Sequence, residues 1–206
     1  MKYIAGTGII LIPIFLLISC SFQQKKLPVF GERELVDGDT VYHTIADFSF
    51  VDQDSSIITQ TTFENKIYVS DFFFTSCRSI CPIMKTQMLR VYEATSGMDD
   101  VLILSHTIDP EYDTVNLLRN FAGKLGVSSD RWHFVTGVKD SIFSIAQTSY
   151  FVTALEDDTE PDGFIHSGAF LLIDKKRRIR GKYDGTVEED VDRLIEDIKR
   201  LKKEHE

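Results

Sequence analysis

The sequence predicts a single α/β domain with a central mixed β-sheet, helices on both faces and an N-terminal β-hairpin at residues 45–62. Strand and helix patterns alternate along the chain from residue 43, which is typical of a sheet covered by helices. With 206 residues, 43% of them hydrophobic, the chain can bury one core but is short for two. The third observation is a cysteine pair, Cys77 and Cys81, between an apolar strand and a helix.

The N-terminal segment has the pattern of a targeting signal. Lys2 precedes an apolar stretch at residues 9–18, and the sequence Leu-Ile-Ser-Cys that ends at Cys20 resembles a bacterial lipobox. The sequence therefore predicts a lipoprotein signal peptide at residues 1–19, a tether at residues 20–42 and a folded domain at residues 43–206. Cys20 is the expected lipidation site, although an uncleaved anchor or a signal without lipid gives the same exposure. The domain is expected to be periplasmic or otherwise extracytoplasmic and anchored to a membrane.

The charge balance narrows the classes of partner. The formal net charge is −9, from 32 acidic and 23 basic residues. Such a chain is poorly suited to bind nucleic acid or anionic lipid surfaces. We therefore expect no nucleic-acid role.

The predicted elements follow the order β-β-β-α-β-α-β-α-β-β-α. Residues 21–42 are predicted to be irregular, and the acidic stretch at residues 155–163 is predicted to be a loop. The helix after the cysteines has apolar residues at helical spacing, namely Ile83, Met84, Met88, Leu89 and Tyr92. Strands are predicted at 45–51, 55–62, 66–74, 101–108, 132–135, 164–174 and 178–183, and helices at 82–96, 113–125, 138–150 and from 187 onward.

The cysteine pair fits three kinds of site: a structural disulfide, a redox pair, or part of a metal site. A disulfide closing so short a loop adds little stability. A thiol pair between a buried strand and a helix is the architecture of the thioredoxin-like fold, and the helix N-terminus lowers a thiol pKa. Cys77 is expected in the exposed loop and Cys81 in the first turn. Their spacing is wider than the C-x-x-C of redox enzymes and favours an ion such as Cu(I) or Zn(II).

Two thiolates leave a metal site incomplete, and five histidines compete for the third position. His106 ends a strand that should neighbour the cysteine strand. His166 follows the acidic loop, where a mobile segment could close over two thiolates. Spacing alone leaves both open. The remaining histidines are expected to be surface or structural residues: His43, His133 and His205.

Four ordered segments resemble the Sco/SenC family, whose members assist assembly of cytochrome c oxidase. They are DFFFTSCRSICPIM, SHTIDPEYDT, WHFVTG and HSGAFLLID, and the similarity spans residues 46–183. The resemblance implies a thioredoxin-like domain that binds copper, as Cu(I) or Cu(II), through Cys77, Cys81 and His166. It also implies delivery of copper to the Cu-A-bearing subunit of the oxidase, with an upstream copper donor and a thiol reductant as further partners. Such a copper chaperone is not an enzyme.

Two departures from the family pattern leave the three implied ligands in place. Arg78 follows the first cysteine where many members have proline, and Gly163 lies in the segment before His166. Asp109 is a candidate acceptor that orients the site without binding the metal. The alternative function is a thiol-disulfide reductase that uses Cys77 and Cys81 as a redox pair. A peroxiredoxin-like peroxidase is a weaker alternative, because Thr75-Ser76-Cys77 lacks the expected pattern.

Overall fold

The computed structural model describes residues 25–156 and 164–205. A short 3-10 helix at Gln60–Phe63 accompanies the strands and the four α-helices. The strands are β1 (Arg33–Val36), β2 (Asp39–Tyr42), β3 (Ser49–Asp52), β4 (Ile57–Thr59), β5 (Ile67–Phe73), β6 (Val101–Thr107), β7 (Trp132–Thr136), β8 (Ala154–Glu156), β9 (Phe164–His166), β10 (Ala169–Ile173) and β11 (Ile179–Asp184). The helices are α1 (Cys81–Ala94), α2 (Val115–Leu125), α3 (Lys139–Thr148) and α4 (Glu188–Glu204).

A mixed sheet with the strand order β11-β10-β5-β6-β7-β3-β4 forms the centre of the fold. β5, β6 and β7 run parallel, and α1 and α2 connect them in sequence, as parallel neighbours require. β10, β11, β3 and β4 complete the sheet through antiparallel pairings. The carboxyl ends of the three parallel strands therefore meet at one edge, which we call the cysteine edge because the cysteine loop follows β5 there.

Helices cover both faces of this sheet, as predicted. On one face, Phe73 of β5 stacks on Phe121 of α2 with ring centroids 5.6 Å apart, and α1 packs against α4. On the other face, the hydroxyl of Tyr68 lies 3.2 Å from that of Tyr150, which follows α3. Successive strand residues point to opposite faces, so β5 is enclosed by both layers.

The core is densest along the two central strands. Every residue of β5 and β6 is buried, and their near-continuous apolar sequences are typical of parallel strands covered on both sides. Phe73 is fully buried. Truncating a buried phenylalanine of this kind costs about 3–5 kcal/mol, so this region anchors the strand that leads into the cysteines.

The segment before residue 43 differs from its predicted irregular conformation. β1 and β2 form an antiparallel hairpin through a two-residue turn at Asp37 and Gly38, whose φ angles are 53° and 89°. Positive φ at both central positions is the geometry of the tight turns that twisted hairpins favour, and Asp-Gly supplies it. The hairpin strands are largely exposed, so the hydrophobic pattern that marks the core strands is missing from them.

The predicted strand at residues 164–174 is interrupted. Ser167 and Gly168 separate β9 from β10, and β9 pairs with β8 in a small antiparallel ribbon outside the main sheet. β8 lies partly inside the range predicted to be a loop. At the break, the carbonyl of Gly168 accepts a hydrogen bond from the amide of Gly185 at 2.7 Å, which ties this point to the end of β11.

Among residues 25–156 and 164–205, no helix is both long enough and apolar enough to cross a bilayer. The predicted signal peptide and Cys20 lie outside the described residues, as does most of the acidic loop.

Candidate metal centre

The cysteine loop joins β5 to α1 and places both thiols at the N-terminus of that helix. Ile80 is the helix N-cap, Cys81 is the first helical residue, and Pro82 occupies the first turn, where its missing N–H costs no hydrogen bond. Cys77 is 7% exposed and Cys81 is 4% exposed. Cys77 therefore lies in the loop as predicted, and Ser76, Arg78 and Ser79 are exposed, but its own side chain is buried.

The two cysteines form no disulfide, and their side chains are in hydrogen-bonding contact. The backbone N–H of Cys81 donates to the Sγ atom of Cys77 across 3.4 Å. The hydroxyl of Ser79 lies 3.5 Å from the same sulfur. The first N–H groups of a helix carry partial positive charge, so this position favours negative charge on the Cys77 sulfur.

The environment of Cys81 favours its protonated form. The hydrogen bond with the Cys77 side chain and burial both raise the pKa of the Cys81 thiol. A metal ligated by this sulfur must displace a proton, so metal binding here releases protons to solvent.

Asp113 connects the cysteine loop to the neighbouring loop after β6. Its carboxylate accepts hydrogen bonds from the backbone N–H of Thr75 at 3.0 Å and from the Thr75 hydroxyl. The hydroxyl of Thr107 donates to the same carboxylate at 2.5 Å. Asp113 is fully buried, and hydrogen bonds to a charged acceptor are stronger than neutral ones. These bonds fix the start of the cysteine loop.

Asp109, the residue predicted to orient the site, has a different set of contacts. Its backbone carbonyl accepts hydrogen bonds from the amides of Tyr112 and Asp113, which shapes the loop. Burial and the nearby Asp113 carboxylate raise the pKa of Asp109. The role of Asp109 at a metal site stays a prediction, whereas the hydrogen bonds described here run from the cysteine loop to Asp113. Asp113 lies in the segment SHTIDPEYDT, but the sequence pattern predicted no role for it.

A buried ion pair lies behind the cysteines. Lys85, one helical turn after Cys81, places its Nζ atom 2.6 Å from the Asp71 carboxylate, and both side chains are almost inaccessible to solvent. Ser105 donates to Asp71 and accepts the indole N–H of Trp132 at 2.9 Å. The charge of Lys85 opposes the rise in the Cys81 pKa. A signal for this pair was present, because Lys85 falls on the apolar stripe of its helix.

One residue of the predicted apolar stripe of α1 is exposed rather than buried. Ile83 is 48% exposed, while Met84 and Met88 are fully buried. The first turn of α1 therefore presents an apolar side chain to solvent beside the cysteines.

The break that follows the strand with His166 lies next to the start of α1. His166 is the last residue of β9, where it pairs with Ala154. Two residues later, a Cβ atom added to Gly168 would lie 3.7 Å from the side chain of Ile80, the N-cap of α1. The side chain of His166 lies outside what the structure describes, so its role as the third ligand stays a prediction.

The other candidate histidine, His106, is a core residue. It is completely buried, stacks on Phe72 with centroids 4.7 Å apart, and places Nδ1 3.3 Å from the Ser70 hydroxyl. Burial lowers the pKa of His106 to about 4. Two further histidines also have structural contacts, since His43 reaches the Ser149 carbonyl and His133 pairs with Asp52.

The described side chains provide two of the predicted ligands. Among them, no group of three His, Cys, Asp or Glu residues is arranged to hold a metal ion. Two adjacent buried sulfurs nevertheless suit a soft ion such as Cu(I), which thiolates select over harder cations.

Comparison with known proteins identifies relatives over nearly the whole chain. The family model described as SCO1/SenC matches residues 37–203. A SCO1 protein homolog from Bacillus subtilis (strain 168) is 28% identical over 200 residues, which cover 97% of each chain.

Solved structures share the fold. The crystal structure of a SCO1/SenC family lipoprotein from Bacillus anthracis str. Ames is 28% identical, with a TM-score of 0.70, and covers 77% of this chain and 95% of its own. BsSco, a member of the Sco family of cytochrome c oxidase assembly proteins with a disulfide switch, is 29% identical, has a TM-score of 0.68 and covers 76% and 92%. Bradyrhizobium japonicum ScoI with copper bound is 22% identical and has a TM-score of 0.64, with coverage of 77% and 99%.

Proposed function

Because the chain belongs to the SCO1/SenC family, we propose that it is a copper chaperone for cytochrome c oxidase assembly. Cys77, Cys81 and His166 bind one copper ion in this proposal. The observation that carries the proposal is the contact between the two cysteines. Both are buried at the N-terminus of one helix without a disulfide between them, and the backbone nitrogen of Cys81 lies 3.4 Å from the Sγ atom of Cys77. Copper bound to relatives of the same fold supports the choice of metal.

Copper is the cargo of this reaction, and it leaves by ligand exchange. A thiolate of the Cu-A-bearing oxidase subunit forms a bond to copper as the bond to one cysteine breaks, a second thiolate replaces the other cysteine, and the bond to His166 breaks as the ion leaves. The oxidation state of the ion does not change. Cys81 takes up a proton on release, which its raised pKa favours.

The proposed cellular arrangement places the domain outside the cytoplasm on a lipid anchor at Cys20. The lipobox-like sequence supports it, and a relative from Bacillus anthracis is a SCO1/SenC family lipoprotein. An upstream copper donor and a thiol reductant complete the set of proposed partners, since copper binding requires reduced cysteines.

A thiol-disulfide reductase is the second candidate function. The contact between the Cys77 and Cys81 side chains supports it, because sulfurs this close can exchange between dithiol and disulfide. BsSco, with its disulfide switch, is a relative with the same fold. A reductase needs both cysteines but has no need of His166, which separates the two functions.

The test is a titration of Cu(I) and Cu(II) into the reduced protein without residues 1–20, in wild type and in Cys77→Ser, Cys81→Ser and His166→Ala. We expect one copper ion per chain, with a sulfur-to-copper charge-transfer band for Cu(II). Each substitution should abolish that band. His106→Leu is the matched histidine control and should leave the band in place.

Oxidase assembly in cells distinguishes the two functions. If His166→Ala abolishes both the Cu(II) charge-transfer band and the maturation of the oxidase, the chaperone proposal is supported. Retained maturation with His166→Ala, together with its loss in Cys77→Ser, would favour the reductase.

A further inference from the structure

A basic pocket lies at the opposite end of the sheet from the cysteines. Its volume is about 330 Å³, within the size range of small-ligand sites. Four basic side chains line it, and Glu204 is the one carboxylate among its lining residues. The basic side chains are those of Lys26, Lys176, Arg178 and Arg180.

The two arginines of this pocket are already paired. Arg178 contacts the Asp174 carboxylate at 2.7 Å. Arg180 contacts Asp174 at 3.1 Å and Glu204 at 2.6 Å. The two carboxylates thus balance the charges of the two arginines and fix their side chains in the pocket wall.

The two lysines provide the excess positive charge. Lys26 and Lys176 are both exposed, and within residues 25–156 and 164–205 no carboxylate forms an ion pair with either. The charge at this pocket is therefore positive in a protein whose net charge is −9. At physiological salt, the field of a carboxylate is screened over about 8–10 Å. An anion at the pocket therefore interacts mainly with the charges of the pocket itself.

His205 provides a further polar group in the same pocket. Its Nε2 atom is buried and lacks a hydrogen-bond partner among the described residues. A buried polar atom of this kind gains most from a ligand that completes its hydrogen bonding. The sequence predicts a solvated His205, whereas the structure places it beside the basic residues of the pocket.

The pocket wall is also the point where the chain enters the domain. The amide of Leu27 donates to Glu204 at 2.6 Å, and Arg180 donates to the carbonyls of Leu27 and Pro28. Leu27 lies seven positions after Cys20, and a fully extended chain of that length spans at most about 25 Å. A lipid at Cys20 would hold this pocket within that distance of the bilayer.

We propose that the pocket formed by Lys26, Lys176, Arg178, Arg180 and His205 binds the phosphate of an anionic phospholipid headgroup. Phosphate oxygens accept hydrogen bonds from ammonium, guanidinium and imidazole N–H groups, which are the groups that line this pocket. The contact adds an electrostatic attachment to the lipid anchor. An acyl chain combined with a basic patch gives stable membrane binding. This inference rests on the membrane tether of the proposed function.

The bound headgroup sets the orientation of the domain. The hairpin turn that carries Lys176 lies beside the start of β5, since Ile173 pairs with Tyr68, while the cysteine loop follows the other end of that strand. The strand between these points is about 20 Å long. The cysteine edge is therefore directed away from the bilayer, where a partner domain can approach both sulfurs.

The test measures co-sedimentation with vesicles of phosphatidylglycerol or of phosphatidylcholine at physiological salt. The protein begins at Ser21, so it lacks acylation, and it retains the described core from Leu27 to Leu201. We compare wild type, Lys26→Gln/Lys176→Gln and the control pair Lys124→Gln/Lys182→Gln, which removes equal charge elsewhere. With about 1 kcal/mol per lysine, the first pair should lower the partition onto phosphatidylglycerol about 25-fold. Phosphatidylcholine vesicles should bind none of the three proteins.

The remaining outcomes overturn the proposal. Absence of wild-type binding to phosphatidylglycerol, or equal losses in the two double variants, would contradict it. A second arm titrates inorganic phosphate and follows the His205 ring by NMR. Phosphate binding without vesicle binding would identify a site for free phosphate and reject the headgroup. Copper titration of the two double variants should match that of wild type. A wild-type protein that binds vesicles but not copper would refute the proposed function and leave the headgroup site supported.

Discussion

The two ends of the sheet use charged residues in opposite ways. At the cysteine edge, Asp113 is fully buried and accepts hydrogen bonds from neutral donors, and Asp71 is enclosed with a single lysine. At the opposite end, which we call the tether end because the chain enters the domain there at Leu27, Arg178 and Arg180 share carboxylates at a pocket that opens to solvent beside exposed lysines.

This difference matches the two tasks that we propose for the ends. Charges at the cysteine edge act inward and fix the position of two sulfurs, which a small soft ion requires. At the tether end, Arg180 and Asp174 are as buried as Lys85 and Asp71, and the exposed lysines act outward, toward an extended anionic surface. Substitutions at the first end should therefore change copper binding, and substitutions at the second should change stability or membrane contact only.

The largest expected effect is at the buried ion pair. Lys85→Met leaves Asp71 as an uncompensated charge in the core, and we expect the free energy of unfolding to fall by about 3–5 kcal/mol. Urea denaturation measures this loss. The double variant Lys85→Met/Asp71→Leu should recover a large part of it, because it removes both charges. A double variant less stable than Lys85→Met would show that the pair itself is not the source.

Arg180→Met tests the tether end with a smaller loss. Asp174 keeps Arg178 as a partner in this variant, so we expect the free energy of unfolding to fall by about 2–3 kcal/mol. The copper dissociation constant should remain within about twofold of wild type, since the site is at the far end of β5. A large change in copper affinity would remove the distinction between the two ends.

His106 should give the protein a specific pH dependence. Its folded-state pKa of about 4 lies below the ordinary value of 6.5, so the unfolded chain binds the proton more readily. The stability that this produces is complete above pH 6.5 and is lost as pH falls toward 4. Between pH 7 and pH 5 the loss is about 2 kcal/mol. His106→Leu should remove that part of the pH dependence in urea titrations at both pH values, whereas an unchanged slope would contradict it.

Asp113→Asn sharpens the comparison at the site itself. The amide keeps one oxygen but loses the charge that accepts from Thr75 and Thr107, so we expect a stability loss of about 1.5 kcal/mol. Groups that orient metal ligands typically change affinity 10–100-fold, so copper affinity should fall by about tenfold or more. Asp109→Asn is the matched control. Should Asp109→Asn weaken copper binding more, the orienting role would pass to that residue.

The central elements could be predicted from the sequence because their patterns are strong. Both β5 and β6 read as continuous apolar strands, and the periodicity of α1 located the helix to within two residues of its bounds. The hairpin at residues 33–42 was missed because its exposed strands bury no side chains. Its signal was confined to Asp37-Gly38, a short turn motif that periodicity does not register.

The site was predictable in part. The cysteine spacing and its place before a helix indicated a thiol pair, and the structure brings the two residues into contact. The carboxylate of Asp113 could not be assigned, because its contact with Thr75 spans 38 residues and depends on the register of β5 and β6. Burial of Cys77 likewise depends on how the loop folds over α1, which local sequence does not determine.

Copper K-edge X-ray absorption on the Cu(I)-loaded protein tests the central proposal most directly, because it counts the atoms bound to the metal. The account predicts two sulfur ligands and one imidazole nitrogen in wild type. In His166→Ala the nitrogen should disappear while both sulfurs remain. A wild-type spectrum without an imidazole, or one that His166→Ala leaves unchanged, would contradict the three-ligand site.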